Sequence, residues 1–291
     1  MSGMSTAPPA LLAGLIDDAA VFPPGNAPLD LAVARHRAHR KAAYAGLVGP
    51  LLVPVADVET LVAEASGDSP PLAVGLIARP GVAPRAVADA VARLSDEASV
   101  EVVGAELGWF VGWRTLPVDG LPLTLEIPRG AERDRALDDV RAGVDESGRV
   151  VQAKFRTGAT PTWEWPDETE LAAFLRDCAR LGVPFKLTGG LHHAVRAEHD
   201  GEPQHGLLNV LLAVHAAVHD GALVAVESLL AQRDPRLLTD AVLDLDDEAA
   251  SRVRSVFTAY GCCEVTDPIG ELDDLGVLDL AAPAPDEETP S

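Results

Sequence analysis

The sequence predicts a single α/β domain, a (β/α)8 barrel of the TIM type. Short apolar runs alternate with Ala- and Leu-rich stretches of helical spacing, which is typical of a parallel sheet with crossover helices. The length of 291 residues suits a barrel better than an open doubly wound sheet. No GxGxxG or P-loop pattern opens a predicted helix, which disfavours nucleotide-binding folds. We expect the barrel to span residues 10–280, with flexible termini at residues 1–9 and 281–291, the latter acidic and rich in proline.

The predicted strands are short apolar runs, and the first of them, LAGLIDDAA, carries two acids near its end. Such runs are typical of the strands of a parallel sheet, which are buried on both faces. In chain order the predicted strands occupy residues 12–20, 47–55, 72–78, 100–107, 121–127, 150–156 and 183–188.

The predicted helices have apolar residues at spacings of three and four. Asp30 lies near the start of the first one, and Pro84 suits the first turn of another. They occupy residues 29–45, 58–65, 83–94, 131–142, 168–181 and 207–220.

The last part of the barrel is harder to assign. Residues 223–230 fit a strand or a helix, and residues 246–260 have helical spacing. We expect GCCEV, at residues 261–265, to be the closing strand and Asp267-Pro268 to start the last helix. The position of the eighth strand stays open.

Composition excludes several classes of protein. Lys plus Arg is 23 and Asp plus Glu is 45, which gives a formal net charge of −22. This acidic protein is a poor partner for nucleic acids and for anionic membranes. A hydrophobic content of 47% excludes a disordered chain. Since no segment is typical of a signal peptide or a membrane span, we expect a cytoplasmic protein.

The three cysteines do not form a disulfide framework and have no CxxC spacing. They favour a reducing compartment and disfavour a zinc site built on thiolates. Cys262 and Cys263 have no activating base nearby in the sequence, so we interpret them as packing residues.

Charged side chains are expected to converge at one end of the barrel. Strand residues alternate between the lumen and the helical layer. If the apolar residues of each strand face the helices, charged and polar residues at the strand ends face the lumen. This predicts a site at the C-terminal mouth, where barrel active sites lie. The residues concerned are Asp17 (or Asp18), Glu106, Thr124, Glu126, Lys154, Arg156, Lys186 and Thr188.

The two lumen lysines suggest Schiff-base chemistry. Burial lowers the pKa of a lysine amine, and a neighbouring cation lowers it further, so we expect Lys154 or Lys186 to be nucleophilic near neutral pH. The alternative is a buried Lys–Glu salt bridge that only closes the barrel.

A glycine-rich turn follows Lys186, in the sequence Thr188-Gly189-Gly190-Leu191-His192-His193. Backbone N–H groups of such a turn can bind phosphate, although a plain tight turn has the same sequence. His192 or His193 fits a general acid or base. Either could also bind a divalent metal together with Glu106, Glu126 and an acid of the first strand.

The segments VQAKFRTG and FKLTGGLHH, within residues 150–193, resemble strands six and seven of the deoxyribose-phosphate aldolase type of class I aldolase. The resemblance implies that Lys154 forms the Schiff base and that Lys186 tunes its amine. It also implies that Gly189 and Gly190 bind phosphate and that Glu106 replaces the family's aspartate as proton relay. The whole chain, with IDDAAVFPP and GCCEVTDPIGELDDLGVL, is also similar to an uncharacterised bacterial (β/α)8-barrel family, which implies no activity.

Our hypothesis from the sequence is an aldolase-like lyase or isomerase that acts on a small carbonyl compound, with or without a phosphate group. Lys154 would form the iminium, and Glu106 or Glu126 would move the proton α to the carbonyl. Binding of the substrate is predicted for Arg156, Thr188, Gly189, Gly190, His192, His193 and Asp17. We predict no cofactor and no metal, no nucleic-acid or membrane partner, and a homo-oligomer as one possible state. The alternatives are a divalent-metal-dependent lyase, isomerase or hydrolase, and a barrel that binds a ligand without catalysis.

Overall fold

The computed structural model describes residues 7–66, 70–118, 120–146 and 150–281. Within them, eight parallel strands form a closed barrel in a single domain, which confirms the predicted fold class. The barrel strands are β1 (Ile16–Asp18), β2 (Val48–Pro54), β3 (Leu72–Ile77), β4 (Val100–Gly108), β5 (Leu123–Glu126), β6 (Val151–Arg156), β7 (Phe185–Thr188) and β10 (Phe257–Cys262). Two further strands, β8 (Ala197–His199) and β9 (Glu202–Gln204), form an antiparallel hairpin outside the barrel.

The helices surround the barrel. They are α1 (Pro9–Leu12), α2 (Leu29–His39), α3 (Val58–Ala65), α4 (Arg85–Leu94), α5 (Arg133–Glu146), α6 (Glu168–Leu181), α7 (Leu207–Val218), α8 (Leu223–Ala231), α9 (Pro235–Leu243), α10 (Asp247–Val256) and α11 (Thr266–Asp274). Asp167 caps α6 by accepting the N–H of Glu170 at 2.8 Å, and Gly182 ends that helix in the left-handed conformation. Among the described residues, no helix has the length and apolar character that a bilayer crossing requires.

The closing strand differs from its predicted position. β10 begins at Phe257, inside the segment predicted as helix, and the predicted strand at residues 261–265 overlaps it only at its last two residues. β10 pairs with β1 on one side and with β7 on the other. Residues 223–230, which fitted either a strand or a helix, belong to α8, and α11 begins close to the predicted Asp267-Pro268.

The first strand and the first long helix are shorter than predicted. β1 has three residues, because Leu12 ends the short helix α1 that precedes it. The helix predicted at residues 29–45 ends at His39, where the Arg40 guanidinium donates to the carbonyl oxygens of Ala45 and Val48. Neither change alters the faces on which the strand residues lie.

The main hydrophobic core lies between the barrel and its helices. Phe174 of α6 is fully buried and lies against two strand residues: its ring centroid is 4.7 Å from that of Phe155 and 5.4 Å from that of Phe185. Phe185 in turn stacks on Phe257 of β10 at 5.4 Å. The apolar residues of β6 and β7 therefore face the helices as predicted, and their alternate residues face the lumen.

At the start of the chain, residues 7–9 lie against the domain. Ala7 is buried, and its N–H donates to the Val277 carbonyl oxygen at 3.2 Å. The rest of the predicted flexible termini, residues 1–6 and 282–291, lies outside the described residues.

Candidate functional site

Two lysines and one glutamate form the centre of the site. Lys154 and Lys186 occupy paired positions on the neighbouring strands β6 and β7. Glu106 of β4 lies between their amines: one carboxylate oxygen is 3.0 Å from Lys154 Nζ, and the other accepts a hydrogen bond from Lys186 Nζ. A single carboxylate therefore bridges the two ammonium groups.

Three more charged residues extend this centre. Asp17 of β1 forms an ion pair with Lys186. Glu126 of β5 lies 3.1 Å from Lys154 Nζ and accepts from Arg156 Nε at 3.0 Å. We call the resulting series the lumen charge network: Asp17, Lys186, Glu106, Lys154, Glu126 and Arg156, in order of contact. Negative and positive groups alternate along it and cancel, which limits the cost of burying them.

Exposure gives this network an inner and an outer end. The side chains of Lys154 and Lys186 are only 4% and 5% exposed, whereas those of Glu126 and Arg156 are 26% and 32% exposed. Glu126 is the last residue of β5 and Arg156 the last of β6. A molecule that enters from the C-terminal mouth meets Arg156 and Glu126 first, and the two buried lysines lie behind them.

The predicted fall in lysine pKa is wrong for the free protein. Burial lowers the pKa of Lys154, but the charges of Glu106 and Glu126 outweigh it and raise that pKa above its usual value. Burial likewise lowers the pKa of Lys186, but the charges of Asp17 and Glu106 outweigh this effect and raise that pKa well above its ordinary value. Because an attractive carboxylate separates the two cations, both amines are protonated near neutral pH.

The three carboxyl groups of the network respond differently to burial. Burial raises the pKa of Glu106, but Lys186 and Lys154 overcome this effect and bring it down to about 2. In the same way, Lys154 and Arg156 lower the pKa of Glu126 to about 2 against burial. For Asp17, burial prevails over the attraction of Lys186 and raises the pKa to about 6. Asp17 is thus the carboxyl group of the network that exchanges a proton near neutral pH.

This difference predicts a pH dependence of stability. The pKa of Asp17 is about 6 in the folded protein against an ordinary value of 3.8, so the folded state binds more protons between these values. Its contribution to stability is complete below the unfolded pKa and is lost as pH rises through 6. We expect the free energy of unfolding of the wild type to fall between pH 4 and pH 7 relative to that of Asp17→Asn. Urea unfolding at several pH values measures this difference, and parallel curves for the two proteins would contradict it.

The glycine turn lies beside Arg156, as predicted. Gly189 and Gly190 have φ values of 63° and 105°, in the left-handed region that favours glycine. A Cβ on Gly189 would lie 3.0 Å from Arg156 Nη1, and one on Gly190 would lie 2.9 Å from Gly158 Cα. Thr188, at the end of β7, accepts the Thr157 N–H through its carbonyl oxygen. Arg156 and the turn are therefore adjacent at the mouth.

The two adjacent histidines have separate partners. His193 Nδ1 lies 2.6 Å from a carboxylate oxygen of Glu271, and its ring stacks on His199 with centroids 3.3 Å apart. His192 is turned towards the end of β10, where its Nδ1 lies 3.6 Å from Cys262 Sγ and 3.7 Å from Cys263 Sγ. In the described part of the chain, neither histidine forms a hydrogen bond or ion pair with the lumen charge network.

The contact of His192 with the cysteines was missed by sequence reasoning. It arises because β7 and β10 are neighbours in the barrel, and the sequence did not locate β10 correctly. Burial raises the pKa of both thiols and lowers that of His192. The second acid of the first strand, Asp18, also has a partner not predicted: it faces outward and binds His36 Nδ1 of α2 at 3.0 Å.

An apolar cluster lies next to the network on the side of β1 to β3. Phe22, from the loop after β1, packs against Leu52, Ile77 and Ala19. The Arg79 guanidinium lies 4.9 Å from the centre of the Phe22 ring. Apart from Asp17 of β1, the charged side chains of the lumen thus lie on β4 to β7, and an apolar cluster lies beside them.

Among the described residues, no group of three or more His, Cys, Asp or Glu side chains has a geometry that could hold a metal ion. Of the metal ligands considered from the sequence, Asp17, Glu106 and Glu126 are instead paired with the lumen lysines, and His192 and His193 have other partners.

No family model, curated protein or solved structure matches this chain. The comparisons therefore lend no support to an aldolase resemblance, and the function must be argued from the site itself. The arrangement offers a buried primary amine, Lys154, that lies next to two ionised carboxylates, Glu106 and Glu126. It also offers a guanidinium beside a glycine turn at the entrance. Together these groups could bind an anionic carbonyl compound and react with it.

Proposed function

We propose that this protein is an aldolase-like lyase or isomerase that forms a Schiff base between Lys154 and a small carbonyl compound. The observation that carries the proposal is the position of Lys154 Nζ, 3.0 Å from Glu106 and 3.1 Å from Glu126 near the C-terminal mouth. The primary amine is the nucleophile that imine formation requires, and the two adjacent carboxylates stabilise the positive charge of an iminium at this position.

Of the two lysines, Lys154 is the better candidate for the reacting amine. It forms an ion pair with Glu126, whose side chain is partly exposed, whereas Lys186 forms ion pairs with the buried Glu106 and Asp17. In the proposed reaction, Nζ releases a proton to solvent and adds to the carbonyl carbon, whose oxygen then takes up protons. Water then leaves and an iminium forms, which activates the neighbouring carbon for proton loss or bond cleavage. Lys186 holds Glu106 in place.

Substrate binding is proposed for the outer end of the network. Arg156 donates to Glu126 through Nε and Nη2, and its Nη1 lies on the side of Gly189. An anionic group, such as a phosphate or carboxylate, would bind the guanidinium and the backbone N–H groups of the glycine turn. Substrates with an anionic group are therefore expected to react better than neutral aldehydes of the same size.

Reductive trapping tests the proposal directly. The protein is incubated with borohydride and a panel of aldehydes, ketones and sugar phosphates, and adducts are located by peptide mass. The chain has only three lysines, Lys41, Lys154 and Lys186, and Lys41 is exposed. We expect an adduct at Lys154 that forms faster than the adduct at Lys41, despite the burial of Lys154. Because the pKa of Lys154 is raised, its labelling should accelerate by about tenfold per pH unit between pH 7 and pH 9.

Matched variants complete the experiment. Lys154→Arg keeps the positive charge but cannot form an imine, so it should lose the adduct, while Lys41→Arg should keep it. Labelling confined to Lys41 with every compound of the panel would contradict the proposal.

A barrel without catalysis is the second candidate, because each charged group of the network already has a partner of opposite sign. In that case the network only stabilises the fold, and Lys154→Arg would change stability but no reaction. No contact in the described structure favours the metal-dependent alternative. The absence of a cofactor and the formation of a homo-oligomer remain predictions.

A further inference from the structure

We propose that water reaches the lumen charge network through a polar cavity in the N-terminal half of the barrel, opposite the mouth that would admit a substrate. The cavity, which we call the lower cavity, has a volume of about 100 Å³. Its polar lining includes Asp17, Glu106 and Lys186 of the network together with Thr124 and Gln152.

The lower cavity exists because small or cyclic residues occupy lumen positions. Pro50, Gly75, Gly104 and Pro122 line it from four different segments. In (β/α)8 barrels such positions are usually filled by layers of Val, Ile and Leu, which leave no open space. The space here is therefore encoded by residue types that cannot fill the interior.

The lining is polar enough to hold water. Gln152 Nε2 donates to Thr124 Oγ1 at 2.8 Å, and Gln152 Oε1 accepts from Thr258 Oγ1 at 2.6 Å. Asp17, Glu106 and Lys186 of the lumen charge network also line the cavity. Cavities with several hydrogen-bonding partners retain water, and this volume accommodates about three molecules at ~30 Å³ each.

The position of the polar lining indicates where the water enters. Gln152 is the second residue of β6 and faces the lumen, yet it is partly exposed. Lys186 and Glu106, further along their strands, are buried. Solvent that contacts Gln152 therefore comes from the N-terminal end of the barrel and meets the network from below.

For the reaction, this route separates water from the carbonyl compound. Condensation of a protonated lysine with a carbonyl group gives an iminium and one water molecule, and hydrolysis takes one water back. The lower cavity would receive and supply this water, with Asp17 as the group that exchanges protons with it. This role rests on the proposed function, whereas the entry of water does not.

Thiol labelling tests the entrance without any reaction. A Cβ on Gly104 would have only ordinary contacts, at 3.4 Å from Pro122 O and 3.8 Å from Pro122 Cβ, so Gly104→Cys fits. Thr124→Cys places a thiol one lumen layer closer to the network, since Thr124 pairs with Glu106. Methyl methanethiosulfonate is the probe, and the buried native Cys178 is the internal reference for opening of the whole domain.

Both introduced thiols should react at least about tenfold faster than Cys178, because they need no unfolding to meet the probe. The thiol at Gly104 should react faster than the one at Thr124. Rates equal to that of Cys178 would overturn the lower cavity as a solvent route. Faster labelling at Thr124 than at Gly104 would overturn its entrance at the N-terminal end. Both outcomes are independent of the reductive trapping at Lys154.

Discussion

Lys186→Met should lower the free energy of unfolding at pH 7 by about 3–5 kcal/mol. The substitution removes the cation that Asp17 and Glu106 share, and both carboxylates stay buried. A buried carboxylate that loses its partner keeps its desolvation cost without the compensating attraction. Chemical denaturation with linear extrapolation measures the loss.

A second substitution separates charge from packing. Lys186→Met combined with Asp17→Asn also removes the carboxylate that is left without an ion pair, while Glu106 keeps Lys154, so a large part of the lost stability should return. Lys41→Met, at an exposed position, should change stability by less than about 0.5 kcal/mol. If Lys186→Met were as mild as Lys41→Met, the network would have no role in holding the barrel together.

Phe174→Ala is expected to cost about 3–5 kcal/mol, because it opens a large void in a fully packed layer. Phe174 is 0% exposed and lies between Phe155 of β6 and Phe185 of β7. These strands carry Lys154 and Lys186, so loss of the ring also loosens the element that sets the distance between the two amines. Denaturant unfolding measures the cost, and reductive trapping at Lys154 measures the consequence for the site.

Leu237→Ala is a suitable control for this substitution, since Leu237 is 57% exposed. It should have little effect on unfolding. A loss of less than about 1 kcal/mol for Phe174→Ala would mean that neighbouring side chains close the void.

The sequence predicts the barrel and the inward direction of its charged residues because both depend on local patterns. Alternation along VVQAKFR is sufficient to turn Lys154 and Arg156 towards the lumen, and the apolar residues between them towards α6. The predicted ranges of α3 and α6 match the observed ones, because the apolar residues of each helix recur at clear spacings of three and four.

The sequence does not predict features that depend on contacts among several helices and strands. β10 begins at Phe257, directly after the last residue of α10, Val256. Because no glycine or proline separates the two elements, the helical spacing of apolar residues continues into the strand. The pKa values of the lysines depend on Glu106, which is separated from Lys154 by 48 residues and from Lys186 by 80. The sequence shows that these residues point inward, but not that the carboxylate lies between the two amines.

The place of β10 in the barrel has a consequence for synthesis of the chain. β10, which supplies residues 257–262, is inserted between β7 and β1. Until it has left the ribosome, β7 and β1 remain open sheet edges with unpaired backbone groups, a state that invites pairing with other chains. The guanidinium of Arg254 donates to the carbonyl oxygen of Ala13 across 241 residues, a contact that can form only late. Closure of this barrel therefore follows synthesis of its seven other strands, and nascent chains that stall before β10 are the form most exposed to aggregation and to chaperones.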